Sequence, residues 1–179
     1  MLRKMTVLLV SMIMVLMPGC LGDDDEEDLG PFPTFSAVAD NNETYDNQRM
    51  AGSAYIVIFS AEWCSAPCFS TMHAIWEAEA ELPVLVFSTD DLEDPQGITL
   101  QDWHEAANAF DDDDESGDTG VNLTTYAFMK GYEAANDLGV KTPGTTVFVD
   151  GEGEITYIHQ GRMDQHNDLI KEKWAEASK

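Results

Sequence analysis

The sequence predicts an α/β fold: a mixed β-sheet covered by helices on both faces, with a β-hairpin ahead of it. Three observations carry this. Residues 54–60, 84–88 and 145–149 are continuous apolar runs rich in Val, Ile and Phe, the pattern of strands buried on both sides. Stretches with apolar residues at helical spacing lie between and after these runs. The third run is followed, across Gly151-Glu152-Gly153, by an alternating segment at 155–159, which reads as its hairpin partner. The order of hairpin, strand, helix, strand, helices, strand, strand, helix yields three layers, α/β/α.

Element by element, residues 35–39 and 43–45 are short strands around the turn Asp40-Asn41-Asn42, because Asn and Asp cap their own backbone and tolerate turn conformations. Residues 54–60 are the first core strand. A helix over 67–82 follows, with Met72, Ile75, Trp76 and Ala80 at helical spacing and Pro83 as its stop. Residues 84–88 are the second core strand. A helix over 99–110 places Leu100, Trp103, Ala107 and Phe110 on one side, and 111–118 is an acidic loop. Residues 124–138 read as another helix closed by Gly139. After the strands at 145–149 and 155–159, a helix over 164–177 closes the chain, with Asp164 as its cap. There is no internal repeat.

Nine Lys and Arg face 34 Asp and Glu, a formal net charge of −25 over 179 residues. Such a surface repels phosphate, which argues against a nucleic-acid partner, and it repels anionic lipid headgroups. Any membrane attachment must therefore be covalent or hydrophobic. The first residues supply one. Arg3 and Lys4 precede an apolar run from Met5 to Met17, then Pro18, Gly19 and Cys20. That run is short for a span, which takes about 20 residues, and it has the form of a secretory signal. A cysteine at its end, with Leu16 and Gly19 before it, resembles a lipobox. Residues 1–19 are thus expected to be a signal peptide. Residues 20–33 then form a lipidated Cys20 with a self-repelling acidic tether, and residues 34–179 form the domain. The expected location is the extracytoplasmic face of the cell membrane, lipid-anchored, or secreted with a spare thiol at Cys20.

If Cys20 carries lipid, Cys64 and Cys68 remain as a close pair in an oxidising compartment. The segment Ser60-Ala-Glu-Trp-Cys64-Ser-Ala-Pro-Cys68 joins the first core strand to the first helix. Ser65 or Ala66 is the expected N-cap and Pro67 suits the first turn. Cys64 then stands just outside the helix and Cys68 inside its first turn. The positive end of the helix dipole stabilises a thiolate, the attacking species in disulfide exchange. Residues four apart in a helix rise about 6 Å, within the roughly 4.4–6.8 Å Cα separation a disulfide tolerates. The same pair can also be a static disulfide or two buried thiols.

The segment from Phe59 to Cys68, FSAEWCSAPC, resembles the active-site segment of thioredoxin-like proteins, in particular the extracytoplasmic TlpA/ResA group. The hairpin at 35–45 with Gly52, the segment Gly139-Val-Lys-Thr-Pro143-Gly-Thr-Thr-Val-Phe-Val-Asp150-Gly151, and Gly161 resemble further parts of that group, so the likeness covers residues 34–177. It implies a membrane-tethered thiol–disulfide oxidoreductase with Cys64 and Cys68 catalytic and Trp63 flanking the reactive sulfur. It also implies a cis Thr142–Pro143 bond that presents the backbone of Thr142 to substrate. The implied partners are protein thiols and disulfides and a membrane redox partner; the implied state is a monomer without cofactor or metal. Two departures stand out. Three residues, not two, separate the cysteines. The buried acid that thioredoxins often hold behind them is replaced by Ile58, leaving Glu62 as a partial substitute unless it is simply solvated.

A three-residue spacing also occurs in Sco copper proteins, which add a distant histidine, and two thiolates with an imidazole suit copper. His73 lies about 140° around the helix from Cys68; His104 and His159 approach only if the fold allows it. Peroxide chemistry would need an Arg near Cys64, and Arg49 and Arg162 are both distant in sequence. Asp112, Asp114, Ser116 and Gly117 match the start of a calcium loop, but Leu123 stands where the bidentate acid is required. Asn42-Glu-Thr44 and Asn122-Leu-Thr124 are glycosylation triplets. Trp76, Trp103 and Trp174 read as core.

Overall fold

The computed structural model describes residues 29–110 and 120–179. The signal, Cys20, the acidic part of the tether and the acidic loop at 111–118 lie outside the described residues. The hairpin is β1 (Ser36–Val38) and β2 (Thr44–Asp46), antiparallel, followed by one helical turn, α1 (Asn47–Met50). Then come β3 (Tyr55–Ser60), α2 (Ala66–Ala78), β4 (Val84–Ser88), α3 (Leu100–Asn108), β5 (Ala127–Lys130), α4 (Tyr132–Asp137), β6 (Thr145–Val149), β7 (Ile155–Gln160) and α5 (Asn167–Ala177). The main sheet has the order β5-β4-β3-β6-β7. β3, β4 and β5 run parallel; β6 and β7 are antiparallel to their neighbours.

The continuous apolar runs have the expected cause. Side chains alternate across the sheet, and both faces are covered. Ile56, Ile58, Val84 and Val86 pack with Met72, Ile75, Trp103 and Ile170 from α2, α3 and α5. Tyr55, Val57, Phe59, Leu85 and Phe87 pack on the opposite face with Met50, Ala134 and Ala135 from α1 and α4. Phe32, within the stretch read as tether, is buried in this second cluster, and its N–H donates to Gly153 O at 2.9 Å. Trp103 is buried as expected, whereas Trp76 and Trp174 are half-buried against the first cluster.

Four readings are corrected. The helix expected over 67–82 ends at Ala78, before Pro83. Glu81 at φ +69 turns the chain, so that buried Leu82 leads into β4. The helix expected over 124–138 is a four-residue strand and a shorter helix: β4 needs a partner on its free side, and Tyr126 to Met129 are buried all round, a demand a surface helix cannot meet. Asp164 does not cap α5. It takes the Arg162 guanidinium, with Nε–Oδ1 at 2.9 Å and a second contact at 2.7 Å, and the helix starts at Asn167. Thr142–Pro143 is trans, and no cis peptide bond occurs among the described residues; Gly144, at φ +103, supplies the bend before β6 instead.

Candidate active site

At the carboxyl end of the parallel strands, β3 runs into a turn, with Cys64 N–H donating to Ala61 O at 2.9 Å, and then into α2. Ser65 is the N-cap by backbone alone: its carbonyl accepts from Cys68 N–H and Phe69 N–H at 3.1 and 3.0 Å, and its side chain makes no capping bond. Ala66 and Pro67 open the first turn; Pro67 has no N–H to leave unpaired there. Cys64 stands outside the helix and half-buried, and Cys68 is inside it and buried. Their sulfurs are bonded, with Cα atoms 5.9 Å apart.

Trp63 is exposed beside the pair, and its indole N–H donates to Asp90 Oδ2 at 3.1 Å. Asp90 N–H donates to Ser88 Oγ at 3.2 Å, and Ser88 Oγ donates to Glu62 Oε2 at 2.6 Å. The Glu62 side chain is fully buried, and its other oxygen takes the Lys130 ammonium, which also donates to Leu92 O. The solvated reading of Glu62 is thereby overturned. A carboxyl group two residues before Cys64 lies in the interior, held by the Ser88 hydroxyl and the Lys130 ammonium. Glu62, Ser88 and Lys130 meet because their strands end level: Ser60 pairs with Ser88, and Ser88 with Lys130. Sequence reasoning missed Ser88, Asp90 and Lys130. The one available signal was a lysine closing the apolar run Tyr-Ala-Phe-Met.

Thr142 and Pro143 lie at the same sheet end. β6 pairs Thr145 with Phe59, and Gly144 N–H donates to Phe59 O at 2.8 Å. Thr142 is exposed and Pro143 half-buried. Three of the four histidines make side-chain hydrogen bonds elsewhere. His73 is buried, with Nε2 2.8 Å from Ala107 O. His104 lies between Asp40 and Leu123 O, at 2.6 and 2.9 Å. His159 meets Arg162 O at 3.2 Å, with His166 beside it. Among the described residues no group of three or more His, Cys, Asp or Glu could hold a metal. Arg49 pairs with Glu43 and stacks on Tyr45, and Arg162 holds Asp164.

No protein-family model matches the chain, and no curated protein matches it. Solved structures do. BsSco, a member of the Sco family of cytochrome c oxidase assembly proteins, is 13% identical with a TM-score of 0.59, over 86% of this chain and 96% of its own. The pneumococcal exposed lipoprotein thioredoxin Etrx1 of Streptococcus pneumoniae strain TIGR4 is 19% identical with a TM-score of 0.57, over 80% and 99%. A thio-disulfide isomerase of Thermus thermophilus is 18% identical with a TM-score of 0.57, over 83% and 96%. The chain has the thioredoxin-like fold: a mixed five-stranded sheet between helices, with a two-stranded hairpin.

Proposed function

We infer that this protein is a thiol–disulfide oxidoreductase, tethered through lipid on Cys20 to the extracytoplasmic face of the membrane. One observation carries the reading: at the N-terminal tip of α2, a half-exposed Cys64 is paired with a buried Cys68 four residues on. In the reduced protein, Cys64 thiolate attacks a substrate disulfide. A Cys64–substrate bond forms and one substrate thiolate leaves. Cys68 thiolate then attacks Cys64 Sγ, restoring the Cys64–Cys68 bond and releasing the second substrate thiolate. Two electrons pass from the pair to the substrate, and a membrane dithiol returns them; with substrate thiols as donors the sequence runs in reverse. Trp63 shields the reacting sulfur, and Thr142 and Pro143 flank the approach. Neighbours named as lipoprotein thioredoxin and thio-disulfide isomerase support both the chemistry and the tether.

The deciding experiment is a redox titration of the full chain with alkylation and mass spectrometry, alongside insulin reduction. One two-electron transition confined to Cys64 and Cys68 is expected, and Cys64→Ser abolishes insulin reduction. A Cys64→Ser variant as active as the parent would overturn the reading.

The Sco neighbour and the three-residue spacing favour a second reading, copper carried by the two thiolates. It requires a third ligand, and among the described residues no group of three or more His, Cys, Asp or Glu could hold a metal. Copper titration of the reduced chain separates the two readings: stoichiometric binding that blocks alkylation of both cysteines supports copper.

A further inference from the structure

A groove of about 470 Å³ lies between β1 and the start of α4, with Asp90 and Lys130 in its wall. It adjoins the site through two bonds already described, Trp63 to Asp90 and Glu62 to Lys130. Five large apolar side chains stand exposed among the described residues, and four of them border this one face. Val38, 58% exposed, and Tyr132, 40% exposed, line the groove. Leu92, 60% exposed, follows groove residue Asp91 and is tied by its carbonyl to Lys130. Trp63, 48% exposed, stands where the face reaches Cys64. Scattered exposed apolar residues are ordinary; two lining one groove, with two more on residues adjoining its wall, are the pattern of a docking surface.

The charge of the wall selects the occupant. Asp90, Asp91 and Glu133 line it, and the one lysine there is engaged by Glu62 and the Leu92 carbonyl. The chain's own acidic segment 23–28 and a second copy of this −25 chain are both repelled. We propose that this groove binds an extended polypeptide segment in which apolar residues alternate with Lys or Arg, delivering a cysteine of that segment to Cys64. The proposal names the substrate class of the redox reading and rests on it for purpose, though not for binding.

The probe is a linear peptide of about twelve residues alternating Lys and Leu, with a single serine in place of the cysteine, carrying rhodamine at one end. Fluorescence anisotropy with the oxidised full chain in neutral detergent should show saturable binding that weakens as sodium chloride rises. The same peptide with Glu for Lys should not bind. The double variant Asp91→Lys/Glu133→Lys, and separately Val38→Ser, should each weaken binding about tenfold. These exposed positions should leave circular dichroism unchanged. Protection of residues 34–38 and 132–134 from hydrogen exchange on peptide addition supplies a second reading independent of the variants. Equal binding of the Lys and Glu peptides, or affinity and protection indifferent to the groove variants, would overturn the proposal. Because the peptide lacks sulfur, a redox-inert protein that binds it removes the oxidoreductase reading and leaves the groove standing. An active protein that ignores the peptide does the opposite.

Discussion

Lys130, the last residue of β5, places its ammonium on the carboxylate of Glu62, 68 positions earlier in the chain and two before Cys64. The two are not equally exposed: the Glu62 side chain is fully buried, while that of Lys130 is 29% exposed. Removing the lysine strands a buried carboxyl group with only Ser88 to satisfy it; removing the acid leaves a lysine that can rehydrate. Lys130→Met is therefore expected to cost about 3 kcal/mol and Glu62→Gln clearly less, with Glu62→Leu/Lys130→Met recovering much of the loss. Urea denaturation of the parent, Lys130→Met, Glu62→Leu and the double Glu62→Leu/Lys130→Met gives the coupling, and additive losses would show that the pair is not a unit.

This pair also shows where the sequence stopped being readable. A strand-end acid followed by Trp-Cys has the same local pattern whether its cation is present or not. Only the register of β3, β4 and β5 brings Lys130 to it, and β5 was itself concealed. Tyr, Ala, Phe, Met and Lys do not oppose a helix, and a four-residue strand is too short to display a period of two. Tertiary demand, the open side of β4, decided the outcome. Strands β3, β4 and β6 were legible because burial on both faces leaves no charged position in the run. Cys64, Pro67 and Cys68 were legible because a helix start is a local event. Trans geometry at Pro143 was not, since the expectation came from family likeness and the bend was met by Gly144.

Gly131 separates β5 from α4 and is the residue a 124–138 helix would have had to absorb. A Cβ there would lie 2.3 Å from the Phe87 ring, inside the second core cluster. Gly131→Ala should therefore destabilise by about 1–3 kcal/mol through overpacking. Adding Phe87→Leu, costly on its own, should recover part of that loss. Thermal melts of the two single variants and the double test this; strictly additive melting shifts would mean the two side chains do not meet.

Asp40, in the hairpin turn, fastens the hairpin to β5. Its N–H donates to Phe128 O and its Oδ1 accepts from Phe128 N–H, both at 2.9 Å, while Oδ2 meets His104 Nδ1 at 2.6 Å. Burial pushes the Asp40 carboxyl up, but the His104 bond, the Phe128 N–H and the charge of His104 outweigh it, holding the group below its ordinary 3.8. A carboxyl with a depressed folded value stabilises fully above its unfolded value, and that stability is lost as pH falls through the folded one. Asp40→Asn should thus be less stable than the parent near pH 7, with the gap closing as pH drops below about 3.8. Urea midpoints measured near pH 7 and pH 3 decide it; a gap of constant size would remove the carboxylate from the account.

The unequal exposure of the two sulfurs makes the cysteine variants unequal too. In Cys68→Ser, Cys64 keeps its half-exposed place at the tip of α2 and can still attack a disulfide, but no second sulfur resolves the product. Mixed disulfides with substrate should accumulate and survive non-reducing electrophoresis. In Cys64→Ser the remaining thiol is 4% exposed within the first turn, beneath Phe69 and Met72 of the same cluster, and trapping should fall by on the order of tenfold. Reduced parent protein should show the same order, with Cys64 alkylated by iodoacetamide ahead of Cys68. Equal trapping by the two variants would mean that the helix tip does not set which sulfur meets the substrate. The polarity of the exchange would then have to come from the partner rather than from the fold.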